Sequence, residues 1–122
     1  MLSPPNPDQI LELITSSLDS DKAENILTIP LRGKSAMADY MVIASGASSR
    51  QVGAMAEHIE FKLKQAGVSL LGLEGMRNAD WVLLDANFVI VHLFRPEVRD
   101  FYGLERMWMD ASDEEVVKVG HD

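Results

Sequence analysis

Residues 40–67 leave this chain few folds to choose from. Tyr40 to Ala44 is a short continuous apolar run, the pattern of a strand buried on both faces. It passes through Ser45 and Gly46 into a segment where Ser48 and Gln51 stand three apart. That spacing predicts a capping box, in which the serine oxygen accepts from the third helical amide and the glutamine reaches back. Val52, Met55, Ala56, Ile59, Leu63 and Ala66 then recur at helical spacing, and Gly67 ends the helix. A doubly buried strand that turns straight into an amphipathic helix needs a sheet with helices packed on it.

The flanking sequence fills in that frame. Pro4, Pro5 and Pro7 predict an extended arm over residues 1–7. Asp8 is the expected cap of a helix over 9–18, with Ile10, Leu11, Ile14 and Leu18 along one side. Ile26, Leu27, Ile29 and Leu31 suggest a strand, and residues 32–35 turn the chain. Leu70, Leu71 and Leu73 suggest a third strand before a loop at Glu74 to Asn78. Residues 81–85 and 88–94 read as paired strands, with Ala86 and Asn87 between them too short for anything but a hairpin. Pro96 stops the last strand, and one or two short helices are expected from Glu97 to about Met109. From Asp110 to Asp122 the expectation is a frayed acidic tail. The whole is an α/β domain over 8–109, with a mixed sheet of about five strands and flanking helices.

Composition narrows the classes of function. A chain of 122 residues with 47% hydrophobic and 25% charged residues suits one packed domain. The absence of cysteine excludes a disulfide scaffold, a thiolate zinc site and a cysteine nucleophile. No apolar run approaches the roughly 20 residues that span a bilayer, and the N-terminus lacks the pattern of a secretory signal. The expected location is the cytoplasm, with no membrane partner. Nineteen acidic against 11 basic residues give a net charge of -8, which repels phosphate backbones and disfavours direct nucleic-acid binding. Such a surface favours basic protein partners, although solubility alone would also explain it.

Little in the sequence supports catalysis. The Gly46 turn could receive a phosphate on free amides with help from Arg50, but it has neither G-x-G-x-x-G nor a P-loop lysine. Structural capping is the favoured reading there. Asp80 and Asp85 lie too far apart along one strand to chelate one ion. His58 and Glu60 are two apart on a helix, about 200° around it, and share no ligand face. His121 lies in the tail and His92 stands among apolar residues. No cofactor or metal is expected.

The hairpin carries more. In simple register Val82, Leu84, Val89, Val91 and Leu93 share one aliphatic face, the natural core side. Trp81, Leu83, Asp85, Phe88, Ile90, His92 and Phe94 fall on the other. Aromatic residues mixed with a carboxylate and an imidazole describe a protein interface, where aromatic anchors dominate binding. A second layer covering this face would give the same pattern, and both readings stay open.

Four segments, Ala38 to Val52, Ala79 to Asp85, Val89 to Phe94 and Pro96 to Trp108, together resemble the iojap-like proteins, the ribosomal silencing factors. They cover most of residues 8–108 in the family's order and spacing. The resemblance implies a nucleotidyltransferase-like α/β domain without catalytic acids. It also implies a non-enzymatic protein that binds ribosomal protein fourteen on the large ribosomal subunit. Docking there blocks joining of the small subunit and lowers translation when nutrients are scarce. On that basis Trp81, Leu83, Asp85, His92, Phe94, Glu97, Tyr102 and Leu104 are the expected partner-binding residues, with Trp81 the anchor. Asp85 and Glu97 would meet basic residues and steer docking. Tyr102 and Leu104 have an alternative role in packing the last helix onto the sheet. Two rival functions are a large-subunit assembly factor and a nucleotide-binding enzyme using the Gly46 turn. The same apolar face would also allow a homodimer in the free state.

Overall fold

The computed structural model describes residues 5–33, 38–103 and 117–119. The first helix, α1, spans Pro7–Ser20. Asn6 caps it, not Asp8: the Asn6 side chain accepts from the Gln9 amide at 2.8 Å while the Gln9 side chain accepts from the Asn6 amide at 2.9 Å. Pro7 is therefore the first helical residue and not the end of an extended arm, because proline's missing N–H costs nothing at that position. Ile10, Ile14 and Leu18 are its buried stripe.

Strands β1 (Glu24–Pro30) and β2 (Tyr40–Ser45) pair antiparallel, with a register shift between Glu24 and Leu27. The second helix, α2, spans Ser49–Gln65. Ser48 caps it as the spacing predicts, accepting from the Gln51 amide at 3.1 Å. The Gln51 side chain reaches back one residue further than a capping box requires and accepts from the Ala47 amide at 2.7 Å. Next comes β3, reduced to Gly72–Glu74, with Leu71 left 69% exposed just before it. The hairpin β4 (Trp81–Asp85) and β5 (Val89–Phe94) follows. Its turn extends through Phe88, and Asn87 adopts a positive φ of 72°.

Helix α3 starts at Pro96 and ends at Tyr102, where Gly103 takes a left-handed cap with φ 58°. Part of the segment expected to be a frayed tail instead forms β6 (Val117–Val119), antiparallel to β1. Pairing with β6 satisfies main-chain hydrogen bonds along the edge of β1 that would otherwise be open. The sheet order is β3-β4-β5-β2-β1-β6, with β2 and β5 parallel and the other neighbours antiparallel.

The α/β class and mixed sheet are as read from sequence, with one more strand than expected. Both central strands, β2 and β5, are buried on both faces, which explains their unbroken apolar runs. Helices α1 and α2 cover one face, enclosing Val42, Ala44, Val82, Leu84, Val91 and Leu93. The hairpin register, Val82 opposite Leu93 and Leu84 opposite Val91, places the aliphatic set there as predicted. The second face carries a smaller core of Leu27, Ile29, Leu31, Ala38, Met41, Ile43, Ile90 and Phe94. Val98 of α3 packs against that second core.

Candidate docking face

The second face of the hairpin divides into a buried part and an accessible rim. Trp81 stands opposite Phe94, Leu83 opposite His92 and Asp85 opposite Ile90. Phe94 has no exposed surface and His92 keeps 9%. These two residues, expected as contacts, instead form the floor on which the rim rests, because neighbours remote in sequence close over β5. Trp81 and Leu83, on β4, are half-buried and pack against the same core from outside.

Trp81 is held from below. Its ring lies 4.9 Å from Phe94 and 5.9 Å from His92, centroid to centroid. Phe94 and His92 stack at 6.0 Å with an interplanar angle of 11°. The Trp81 indole N–H donates to His92 Nδ1 at 3.0 Å. That bond needs neutral His92 with its proton on Nε2. Burial supplies the condition, lowering the His92 pKa from 6.5 to about 4. A large planar side chain already held in one orientation loses little entropy on binding.

The approach of β4 to this position depends on Gly75. Its φ is +88°, and a Cβ there would lie 2.0 Å from the Trp81 carbonyl oxygen. The Gly75 carbonyl also accepts from the Ala79 amide, closing the loop that delivers Trp81. Sequence reading placed Gly75 in a loop and gave it no further role; its contact is with backbone across that loop and leaves no motif.

The charged candidates are less free than expected. Asp85 is half-buried, and its Oδ1 accepts from the Asn87 amide at 2.9 Å, bracing the hairpin turn. Glu97 is exposed but engages Arg95 through both Nε and Nη2. Its own backbone N–H and then Arg95 hold its carboxyl below the usual carboxylate range. Arg95 continues to Asp80 at 3.3 Å, and Asp80 accepts from the Ser49 hydroxyl at 3.0 Å. This chain of ion pairs and a hydrogen bond ties the start of α3 to the start of α2, and sequence reading missed its links through Asp80 because they join residues separated by whole elements. Another unforeseen residue is Arg99, buried under α3, whose Nη1 donates to the Asn25 carbonyl at 2.8 Å and the Ser45 hydroxyl at 2.9 Å. Arg99 thereby fixes α3 to the irregular start of β1 and the end of β2. Leu104 and the side chain of Tyr102 lie outside the described residues.

The Gly46 turn is built for packing. A Cβ on Gly46 would lie 2.9 Å from Val52 Cγ2, so glycine lets β2 run closely into α2. The Ala47 and Gln51 amides meet the Gln51 and Ser48 side chains, and the Asp80 carboxylate accepts from the Ser49 hydroxyl beside them. Among the described residues no group of three His, Asp or Glu side chains converges as a metal site, and no helix is long and apolar enough to cross a membrane.

Comparison with known proteins finds relatives over most of the chain. The family model described as "ribosomal silencing factor during starvation" matches residues 4–122. A ribosomal silencing factor from Zymomonas mobilis is 58% identical over 113 residues, spanning 91% of this chain and 85% of that protein. A crystal structure from Chromobacterium violaceum superposes with a TM-score of 0.83 at 36% identity, covering 85% of this chain and 87% of the other. The mouse protein named mitochondrial assembly of ribosomal large subunit protein 1 is 29% identical over 113 residues, covering 89% of this chain and 50% of its own length. Matched by the family model over residues 4–122 and 58% identical to one member over 91% of its own length, this α/β chain belongs to the ribosomal silencing factor (RsfS) family.

Proposed function

We propose that this protein docks on the large ribosomal subunit through the Trp81–Leu83 rim and prevents the small subunit from joining. The contact is ribosomal protein fourteen of the large subunit, and the setting is the cytoplasm during nutrient limitation. The observation that carries the reading is Trp81 itself, half-exposed yet held in one orientation by the His92 hydrogen bond and the Phe94 ring. Leu83 extends the apolar rim, and the Asp80–Arg95–Glu97 chain borders the candidate face. A net charge of -8 suits a basic protein partner better than ribosomal RNA. The role is steric and regulatory, with no reaction catalysed.

Sedimentation of the full chain with purified large subunits tests this, with joining to small subunits scored in the same gradients. Wild type is expected to co-sediment and reduce joining. Trp81→Ala should weaken binding by about 2 kcal/mol or more, the loss typical of a central aromatic anchor. Leu83→Glu serves as a second variant that leaves the indole–imidazole bond in place. Failure of the folded wild type to bind would end the ribosomal reading. Binding without any effect on joining would favour a role in large-subunit assembly, the reading suggested by the mouse relative's name.

A further inference from the structure

Strand β3 brings one more charged side chain to the face that carries Trp81. Leu73 stands opposite Leu84 and packs against the first core, under the helices. Alternation along the strand therefore turns Glu74 to the other face, where it stands opposite Leu83. Sequence reading put Glu74 in a loop; it is instead the last residue of β3, and it is exposed. Its backbone is fixed against β4, because the next residue is Gly75, so close to the Trp81 carbonyl that a Cβ would lie 2.0 Å from the oxygen. Glu74 and Trp81 thus keep a set spacing. Leu83 is two residues along β4 from Trp81, and Glu74 lies across the ladder from Leu83, about 5 Å away between Cβ atoms.

The other carboxylates around this rim are already engaged within the chain. Asp80 meets Arg95 and the Ser49 hydroxyl, Asp85 accepts from the Asn87 amide, and Glu97 pairs with Arg95. Glu74, by contrast, forms no hydrogen bond or ion pair among the described residues. We infer, on the docking reading above, that Glu74 is the anionic contact of that face and meets a lysine or arginine flanking the apolar patch that receives Trp81 and Leu83. The docking face thereby extends across β4 to the edge strand β3. A carboxylate at this position repels phosphate, so the β3 side of the face meets protein and not ribosomal RNA. A charge at the rim of an interface acts chiefly on the rate of encounter and on its dependence on salt.

The test is the binding kinetics of the full chain on immobilised large ribosomal subunits, at low and at high salt. Glu74→Gln should slow association about threefold at low salt, leave dissociation nearly unchanged, and converge with wild type at high salt. Glu74→Lys should slow association further, about tenfold. Glu60→Gln is the control: it removes the same charge from the exposed side of α2, on the helix-covered side of the sheet, and association should change little. Equal effects of Glu74→Gln and Glu60→Gln would reduce the result to net charge and overturn the inference. So would unchanged association of both Glu74 variants together with their self-association in sedimentation velocity, which would make Glu74 a guard of the open sheet edge. Wild type that fails to bind removes the docking reading and this inference with it. Wild type that binds, with Glu74 variants indistinguishable from it, removes this inference alone.

Discussion

Lowering the pH should destabilise this protein through one imidazole. His92 is buried beneath Trp81, and its pKa falls from 6.5 to about 4 because the charged form is poorly solvated there. In the unfolded chain the ring takes up a proton near pH 6.5, whereas in the folded chain it resists until about pH 4. The unfolded state therefore binds more protons across that window. The stabilisation is complete above pH 6.5, is lost progressively as pH falls towards 4, and changes little below that. The difference between the two values corresponds to about 3 kcal/mol, most of which is gone by pH 4.5. Many carboxylates titrate over the same range, so the effect has to be isolated by difference. His92→Asn is the comparison, since its side-chain oxygen can still accept from the Trp81 indole and cannot titrate. Urea unfolding at pH 7 and pH 4.5 should show wild type losing about 2–3 kcal/mol more than the variant. An imidazole NMR titration in the folded protein should give a His92 midpoint far below 6.5. If wild type and variant lose stability in parallel, or His92 titrates near 6.5, the burial argument for how Trp81 is held is wrong.

Other perturbations probe the supports of the same face. Gly75→Ala places a methyl group against the Trp81 carbonyl in a left-handed backbone and should cost about 3 kcal/mol or more, read by denaturant midpoint. Arg99→Met keeps much of the side-chain volume but leaves the Asn25 carbonyl without its buried donor. A loss of about 1–3 kcal/mol is expected, with α3 exchanging its amide hydrogens faster. Asn6→Ala removes the cap of α1 and should cost about 1 kcal/mol, a shift of a few degrees in a thermal melt.

Sequence legibility followed the range of the interactions. Helix α2 was readable because its cap, apolar stripe and terminating turn all lie within a few residues of one another. Hairpin register was readable for the same reason, since the connection between β4 and β5 permits little else. At the start of α1 Asp8 was expected as the cap, and the reciprocal Asn6–Gln9 bonds place the cap at Asn6 instead. Residues grouped by charge fared worse. Asp85 and Glu97 were expected to face a partner, yet each first satisfies a group of its own chain, the Asn87 amide and the Arg95 guanidinium. Those partners lie close in sequence, but only folded backbone directions bring them into line.

By itself the sequence determined the α/β class, the two-sided burial of β2 and β5, the aliphatic face of the hairpin and the family resemblance. Each rests on side-chain periodicity or short-range geometry, which the local backbone dictates. Tertiary structure alone decided the strand order, the pairing of β6 with β1 and the split of the hairpin's outer face. That split matters most for function: Phe94 sinks into a second core while Trp81 stays at its rim. Burial is set by which distant elements close over a strand, and no pattern within the strand records it.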